Sequence, residues 1–198
     1  GVKPALIENA AKALGMPIGP LALLDETTLQ LGYDVMQSTK KELGDVYQPS
    51  GTEDFMELMV MKLGRKGRRF GSGFYDYDEN GERLGLWQGM VDHYPLAENQ
   101  PTVEEVKQRL LYIQLIATAQ CFEEEVVRDP QSADLGAIFG WGFAPYTGGP
   151  MSYIDTVGLE NFVRTADKLA QQYGNRFAPP KSFREMADNG ETLYKSAA

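Results

Sequence analysis

Apolar residues recur at helical spacing along most of this chain, so the pattern predicts a largely helical protein. The clearest period lies in residues 158–173, where apolar side chains return every three or four positions until Gly174. The predicted helices span residues 3–14, 20–43, 53–63, 102–127 and 158–173, with a last short helix that is capped by Ser182 and ends at Gly190. Helix 102–127 opens with Thr102 followed three residues later by Glu105, the pattern of a capping box. The aromatic segment Gly-Phe-Tyr-Asp-Tyr at residues 73–77 is the exception, and we expect a small extended stretch there.

A Gly-Pro step opens two segments of equal spacing. They read Gly19-Pro20…Asp25…Leu29 and Gly149-Pro150…Asp155…Leu159. Proline fits the first turn of a helix because its missing N–H costs nothing there, and the preceding glycine allows a tight entry. The acid one turn later would lie near the positive end of the helix dipole. A repeat at about 130 residues indicates two copies of one helical unit. A helix entry that is used twice without any ligand explains the spacing equally well.

The repeat predicts two domains joined by a linker. We expect a first domain over residues 1–85, a linker over 86–100 and a second domain over 101–198, with Trp87 anchoring the linker to a domain. The second domain begins with the long helix 102–127 ahead of its Gly-Pro step, whereas the first has no equivalent helix. We therefore expect a longer parent protein to supply that helix.

Composition narrows the classes of function. The 198 residues are 42% hydrophobic, which is enough for a sizeable core, and the net charge of −9 argues against general nucleic-acid binding. No apolar run reaches ~18 residues, so no membrane span is predicted. The single cysteine, Cys121, excludes an internal disulfide framework, fits a reducing compartment and is expected to be a buried structural thiol.

Recognisable catalytic and metal-binding patterns are missing from the sequence. The only histidine, His93, lies in a polar, Pro-flanked segment, so we expect it to be exposed and to form no nucleophile–histidine pair. No His/Cys cluster has metal-ligand spacing, and no Gly-x-Gly-x-x-Gly or Walker pattern occurs. We therefore predict no catalytic residue and no metal site in this chain.

A basic stretch stands out in an otherwise acidic chain. Five cations lie within residues 62–69, namely Lys62, Arg65, Lys66, Arg68 and Arg69. They lead into Gly71-Ser72-Gly73, whose flexible backbone could approach a phosphate closely. Cations after a helix C-terminus are favourable without any ligand, so the stretch alone leaves both interpretations open.

Three segments taken in order resemble a known family. GMPIGPLALLDETTL, GRRFGSGFYDYDENG and GWGFAPYTGGPMSYIDTVGLE resemble the tandem C-terminal helical domains of 3-hydroxyacyl-CoA dehydrogenases. The resemblance covers nearly the whole chain and is closest to the multifunctional enzymes of fatty-acid β-oxidation, which join an enoyl-CoA hydratase domain to the dehydrogenase. It implies an all-α fold with two copies of a domain that resembles the C-terminal domain of 6-phosphogluconate dehydrogenase. The first copy would close over the cleft of an upstream NAD-binding Rossmann domain, and the second, degenerate copy would pack on the first.

The resemblance also implies site residues. The family loop Gly-[Phe/Tyr/Met]-Pro-x-Gly-Pro, beside the acyl-thioester end of the substrate, matches Met16, Pro17, Gly19 and Pro20. The family turn Gly-x-Gly-Phe-Tyr matches residues 71–75, and the basic residue before it that can contact NAD would be Arg69, with Phe70 where a small polar residue is usual.

The family's dinucleotide fingerprint and its catalytic His and Glu would lie upstream, so we expect this chain alone to be inactive. The parent would oxidise 3-hydroxyacyl-CoA to 3-oxoacyl-CoA with NAD. Its implied partners are the Rossmann domain, acyl-CoA and further copies of itself. The implied location is the bacterial cytoplasm, or the mitochondrion or peroxisome in a eukaryote. The alternatives are a helical oligomerisation or interaction module without a ligand, and a helical domain of another β-hydroxyacid dehydrogenase, against which the repeat with Gly-Phe-Tyr argues.

Overall fold

Helices form most of the computed structural model, which describes residues 1–194, and the predicted all-α class is confirmed. In that part of the chain the α-helices are α1 (Pro4–Ala13), α2 (Pro20–Thr27), α3 (Leu29–Leu43), α4 (Glu53–Glu57), α5 (Met90–His93), α6 (Val103–Glu123), α7 (Pro130–Trp141), α8 (Pro150–Val157), α9 (Leu159–Tyr173) and α10 (Lys181–Asp188). The short strands β1 (Tyr75–Tyr77) and β2 (Arg83–Leu86) pair antiparallel with an irregularity between Asp76 and Tyr77. The extended stretch predicted at the aromatic segment is therefore present.

Contacts between Cα atoms divide the chain into two units. The first holds Gly1–Asn9 and Ile18–Gln100, and the second holds Ala10–Pro17 and the described residues from Pro101 onward. The predicted boundaries (1–85, 86–100 and 101–198) and the interpretation of the units as tandem copies remain predictions. The segment predicted as a linker contains α5, and Trp87 packs against the core of the first unit, as expected of an anchor.

Each unit has its own apolar core. Fully or almost fully buried core side chains of the first unit are Ala22, Leu29, Met59 and Val60, and those of the second include Leu115, Ile116, Met151, Ile154, Phe162 and Phe183. The second core surrounds α6, the long helix predicted from the sequence. The N–H of Glu105 donates to Thr102 Oγ1 at 3.2 Å, so the threonine caps α6 as predicted.

The prediction of one continuous helix over residues 20–43 is wrong, because the helix is interrupted at Thr28, which separates α2 from α3. Thr28 has φ 70° and ψ 131°. A Cβ added to Gly67 would lie 2.8 Å from Thr28 Cα, and the N–H of Gln30 donates to Lys66 O at 3.2 Å. The break thus lets the backbone of residues 66–67 pack directly against residues 28–30. This contact is tertiary, and the helical periodicity of the sequence gives no sign of it. Gly158 makes the same break, with φ 85° and ψ 136°, between α8 and α9.

Two further details depart from the sequence-based expectations. Ser182 does not cap α10; its N–H donates to Glu123 Oε1 at 2.8 Å, so a carboxylate from another helix binds the N-terminus. Helix α7 was not predicted, although Asp129 caps it by accepting from the N–H of Ser132 at 2.7 Å and Pro130 occupies its first turn. The segment predicted as helix 53–63 is α4 continued by a π-helical turn, Leu58–Lys62.

Candidate functional site

A buried carboxylate covers the start of α2 in the first unit. Oε1 of Glu8 accepts hydrogen bonds from the N–H groups of Leu21 and Ala22, at 2.6 and 3.3 Å, and its Oε2 accepts from the hydroxyl of Tyr75 at 2.9 Å. Glu8 is only 3% exposed. The positive end of the helix is therefore satisfied by a side chain of the same unit.

This carboxylate explains why a Gly-Pro step begins the helix. A Cβ on Gly19 would lie 2.1 Å from Glu8 Oε2, so only glycine fits beneath the carboxylate. The backbone of Gly19, at φ −68° and ψ 152°, is ordinary for any residue, so its requirement is steric. Pro20 has no N–H, and the first available donors are the two that Glu8 binds.

The acid of the repeat has a different partner from the one predicted. Asp25, fully buried, does not lie at the start of its helix; Oδ1 accepts from the N–H of Phe74 at 2.7 Å, and Oδ2 accepts from the N–H of Tyr75 and the hydroxyl of Tyr77, both at 2.9 Å. A Cβ on Gly73 would lie 2.0 Å from Asp25 Oδ1. The Gly-x-Gly-Phe-Tyr turn is thus held in place by Asp25.

Burial sets the protonation equilibria of this cluster. Desolvation raises the pKa of Asp25 above its ordinary value, against the lowering effect of its hydrogen bonds from the Phe74 and Tyr75 backbone. Burial, followed by the hydrogen bond to Glu8, raises the pKa of Tyr75 to about 12. The pKa of Tyr77 is raised for the same reason, with Asp25 as the acceptor. Both phenols therefore remain neutral donors at physiological pH.

The second unit builds the start of α8 in the same way. Asp134 accepts hydrogen bonds from the N–H groups of Met151 and Ser152, at 2.6 and 3.0 Å, and from the hydroxyl of Tyr194 at 2.7 Å. A Cβ on Gly149 would lie 2.4 Å from Asp134 Cγ. Asp134 therefore occupies in this unit the position that Glu8 occupies in the first.

The second acid of the repeat also has a matching role. The two oxygens of Asp155 accept from the N–H groups of Leu193 and Tyr194, each at 2.8 Å. Burial, together with the bond to Asp134, raises the pKa of Tyr194 to about 12. Glu8, Asp25 and Tyr75 of the first unit thus form the same pattern of hydrogen bonds as their counterparts in the second unit, which are Asp134, Asp155 and Tyr194. Of these acids, only Asp25 and Asp155 belong to the repeat seen in the sequence.

The basic stretch is mostly engaged within the first unit. Arg65 donates to Gly73 O at 2.7 Å and to Asp76 Oδ1 at 2.6 Å, and its guanidinium lies 4.3 Å from the ring centroid of Trp87. Arg68 donates to Glu26 Oε1 at 2.9 Å. Arg69 is exposed, and its side chain makes no hydrogen bond or ion pair to any other residue within 1–194. Of the two arginines before the Gly-rich turn, Arg69 is therefore the one that is available to a ligand.

The predicted substrate loop is divided between the two units. Met16 is half-buried, its N–H donates to Ala11 O at 3.1 Å, and it belongs with the exposed Pro17 to the second unit. Gly19 and Pro20 belong to the first unit. The roles assigned to these four residues remain predictions.

His93 and Cys121 are the remaining candidate groups. His93 is exposed, as expected, with its ring 6.2 Å from that of Trp87. Cys121 is half-buried, so the expectation of a buried thiol is wrong. Within residues 1–194 no three His, Cys, Asp or Glu side chains are grouped to hold a metal ion. None of the helices in this part of the chain has the length and apolar content needed to cross a membrane.

Comparison with known proteins identifies a family profile that matches the first part of the chain. Residues 1–77 match the family profile described as "3-hydroxyacyl-CoA dehydrogenase, C-terminal domain". The match confirms the resemblance inferred from the motifs, and it includes both the Gly-Pro step of α2 and the Gly-Phe-Tyr turn that Asp25 binds.

Similarity to curated relatives extends beyond residue 77. Over 96% of its length the chain is 32% identical to the fatty acid oxidation complex subunit alpha of Shewanella loihica, and over 95% it is 34% identical to that of Shewanella halifaxensis. The chain spans about a quarter of these relatives, 26% and 27% of their respective lengths.

Solved structures show the same fold. The dehydrogenase part of multifunctional enzyme 1 from C. elegans superposes with a TM-score of 0.66 at 24% identity, covering 93% of this chain and 42% of that one. The 3-hydroxybutyryl-CoA dehydrogenase of Escherichia coli superposes with a TM-score of 0.65 at 17% identity, covering 94% and 55%. The helical architecture of this chain is therefore shared with parts of these two structures.

Proposed function

We propose that this chain is the C-terminal helical part of an NAD-dependent 3-hydroxyacyl-CoA dehydrogenase of fatty-acid β-oxidation. The parent oxidises 3-hydroxyacyl-CoA to 3-oxoacyl-CoA. The observation that carries this proposal is the similarity of almost the whole chain to alpha subunits of fatty acid oxidation complexes, combined with the family match of residues 1–77. The hydride transfer is assigned to residues outside this chain, which contributes to the substrate cleft and to domain packing.

The loop formed by Met16, Pro17, Gly19 and Pro20 lines the acyl-thioester end of that cleft. Two contacts support a role in shape rather than in charge. Glu8 holds the start of α2 in place, and it already binds the N–H groups of Leu21 and Ala22. The helix N-terminus is thus unavailable to a phosphate of CoA, and Gly19 and Pro20 offer an uncharged surface there.

Arg69 contacts the NAD cofactor in this proposal. Its guanidinium is exposed and has no partner in residues 1–194, and Gly71, two residues on, has φ 78° with no atom near its Cβ position. A charged group beside an open, flexible backbone fits a phosphate or carboxylate of a dinucleotide. NAD supplies the hydride acceptor when bound, and Arg69 would bind and orient it.

The test is Arg69→Ala in the complete polypeptide, measured by steady-state kinetics at fixed ionic strength. Loss of a charge-assisted hydrogen bond costs about 1.5–3 kcal/mol, so we expect KM for NAD or the acyl-CoA to rise about tenfold or more. Lys41→Ala is the matched control, because Lys41 is also exposed and unpaired within the described residues. Arg83, another arginine of the first unit, is a poorer control because it lies in β2 and its side chain is already engaged, donating to Glu26 Oε1 at 3.3 Å. Equal effects of Arg69→Ala and Lys41→Ala would remove Arg69 from the cofactor site.

The proposed partners follow from the same assignment. They are an upstream Rossmann domain in the same polypeptide, acyl-CoA, NAD and further copies of the protein, in the cytoplasm of a bacterium. The alternative, an interaction module with no ligand, would be favoured if the complete polypeptide failed to oxidise any 3-hydroxyacyl-CoA with NAD.

A further inference from the structure

A cavity of about 470 Å³ lies within the second unit. Its lining comes from the first half of α6, from Tyr153 of α8, from Tyr146 and from Leu14, which belongs to the same unit. The two aliphatic lining residues, Leu14 and Leu111, are 4% and 5% exposed, so they offer little area to an acyl chain. The rest of the wall is aromatic or polar, which points to a different class of ligand.

The ionised groups that line this cavity already have partners. Lys107 donates to Glu104 at 3.0 Å, and Glu105 accepts a hydrogen bond from the hydroxyl of Tyr173. The lining therefore holds one cation and two carboxylates, a balance that is unfavourable for a phosphate. The ammonium group of Lys107 in turn disfavours an organic cation. A neutral ligand fits this lining best.

Neutral hydrogen-bonding groups remain available at the cavity. Within residues 1–194 the hydroxyls of Tyr146 and Tyr153 and the side-chain amide of Gln108 have no hydrogen-bond partner. Burial raises the pKa of the Tyr153 phenol, the nearby phenol of Tyr146 raises it further, and Lys107 lowers it, so these groups face a common space. Tyr153 therefore remains a neutral hydroxyl at physiological pH.

The position of Tyr146 is particular to the second unit. Gly149 follows Asp134 by 15 residues, whereas Gly19 follows Glu8 by 11 residues. Tyr146 lies in the 3₁₀ turn of this longer connection. The start of the helix is built in the same way in both units, so the additional residues are not needed to form it.

Tyr153 is also without an equivalent in the first unit. Met151 and Leu21 both donate to the carboxylate that covers their helix, and they are 130 positions apart. Tyr153 therefore stands where the first unit has Leu23. The same helix forms with leucine at this position, so the phenol has no structural reason.

We propose that this cavity binds an adenine ring. Tyr146 is 73% exposed, yet its ring is positioned, since a Cβ added to Gly15 would lie 3.0 Å from Tyr146 Cε1. A positioned aromatic ring with an exposed face is a surface on which a base stacks. The amide of Gln108 offers a donor and an acceptor side by side, which is the pattern that pairs with the edge of adenine.

Size and charge agree with this ligand. A volume of about 470 Å³ is in the range of small-molecule sites, and adenine is uncharged, as the lining requires. Adenosine nucleotides, NAD and CoA all contain this ring, so the experiment must distinguish them. The inference does not depend on the function proposed above.

Isothermal titration calorimetry of the 198-residue chain with adenosine tests the proposal. We expect one-to-one binding with a Kd below about 1 mM. Gln108→Ala should raise Kd about fivefold or more because it removes the paired donor and acceptor, and Tyr146→Ala should do the same through loss of stacking. Tyr146→Phe keeps the ring and should leave Kd unchanged. Gln120→Ala, at an exposed position of α6 outside the cavity, is the matched control and should also leave it unchanged.

Further titrations identify the source of the ring. NAD and CoA are titrated separately into the unchanged chain and into Gln108→Ala. The molecule whose binding Gln108→Ala weakens is the source, and an equal effect on both means that the cavity recognises the shared ring. Arg69→Ala, in the first unit, should leave adenosine binding unchanged. Failure of the cofactor role proposed for Arg69 is thus distinguishable from failure of this inference.

Three outcomes would overturn the proposal. The first is no saturable binding of adenosine up to about 1 mM, and the second is binding of NAD or CoA without binding of adenosine. The third is adenosine binding that neither Gln108→Ala nor Tyr146→Ala weakens, which would place the ligand elsewhere. Circular dichroism checks the fold of each variant. If Tyr146→Ala does not fold, Gln108→Ala decides the test, because Gln108 is exposed on α6.

Discussion

The clearest physical prediction concerns Gly19→Ala, because the structure gives a steric reason for glycine at an ordinary backbone conformation. The new Cβ would lie 2.1 Å from Oε2 and 2.4 Å from Cδ of Glu8, so the carboxylate must move. Moving it weakens the bonds from Leu21, Ala22 and Tyr75. A hydrogen bond to a charged group contributes about 1.5–3 kcal/mol, and these three are not additive, so we expect a loss of about 3 kcal/mol.

Each unit contains one of the two tryptophans, so unfolding can be followed separately. Trp87 lies in the first unit and Trp141 in the second. In a Trp141→Phe background the fluorescence of Trp87 during urea unfolding reports the first unit, and we expect its midpoint to fall in Gly19→Ala with little change in slope. Gly136→Ala is the matched control: Gly136 lies inside α7 of the second unit with no atom near its Cβ position, so alanine there should leave the midpoint of the Trp87 transition unchanged.

A double mutant separates the steric cause from a general effect of alanine. In a Glu8→Ala background the Cβ that Gly19→Ala introduces has no carboxylate to meet, so this substitution should be almost neutral there. The coupling between the two substitutions should be about 2 kcal/mol. If Gly19→Ala lowers the free energy of unfolding by less than about 1 kcal/mol, or lowers it equally with and without Glu8, then the Glu8 carboxylate is not what requires glycine at position 19.

Two further predictions test the same network. Because the pKa of Tyr75 is about 12 in the folded protein against an ordinary 10.0, its contribution to stability is fully present below pH 10 and is lost as the pH rises towards 12. Tyr75→Phe should therefore show a shallower loss of unfolding free energy between pH 10 and 12 in the Trp87 signal. Thr28 carries a β-branched side chain at φ 70°, whereas Gly158 stands at the same break in the second unit. Thr28→Gly should therefore stabilise the first unit by about 1 kcal/mol in urea unfolding. A destabilisation there would mean that the cap from Thr28 to the N–H of Leu31 outweighs the strain.

Local signals explain what could be predicted from the sequence. Helices α1 and α9 follow from apolar periodicity and glycine stops, α6 follows from its apolar residues and its capping threonine, and the Gly-Pro steps locate the starts of α2 and α8. The break at Thr28 could not be read locally, because it depends on Gly67 packing against the chain. A threonine inside a periodic apolar segment gives no sign that its φ is positive.

The acids that hold the helix starts could not be found from sequence spacing for a related reason. Glu8 lies 11 residues before Gly19, whereas Asp134 lies 15 residues before Gly149, so no fixed spacing relates them. The longer connection in the second unit includes a 3₁₀ turn, Pro145–Thr147. A lone acid within an apolar helix is a weak signal, although Glu8 among the alanines, Leu6 and Ile7 of α1 could have been marked as a buried group that requires partners.

This geometry separates the motif residues that the fold requires from those that it does not. Gly19 is required because a carboxylate lies over it, and Gly149 is required for the same reason in the other unit. Gly73 is required because Asp25 lies beside it. These glycines would be needed with or without a substrate, so their presence in a family motif is weak evidence for a binding role. Arg69 has no such structural reason, since its side chain binds nothing within residues 1–194, and a substitution there bears more directly on function than one at any of these glycines.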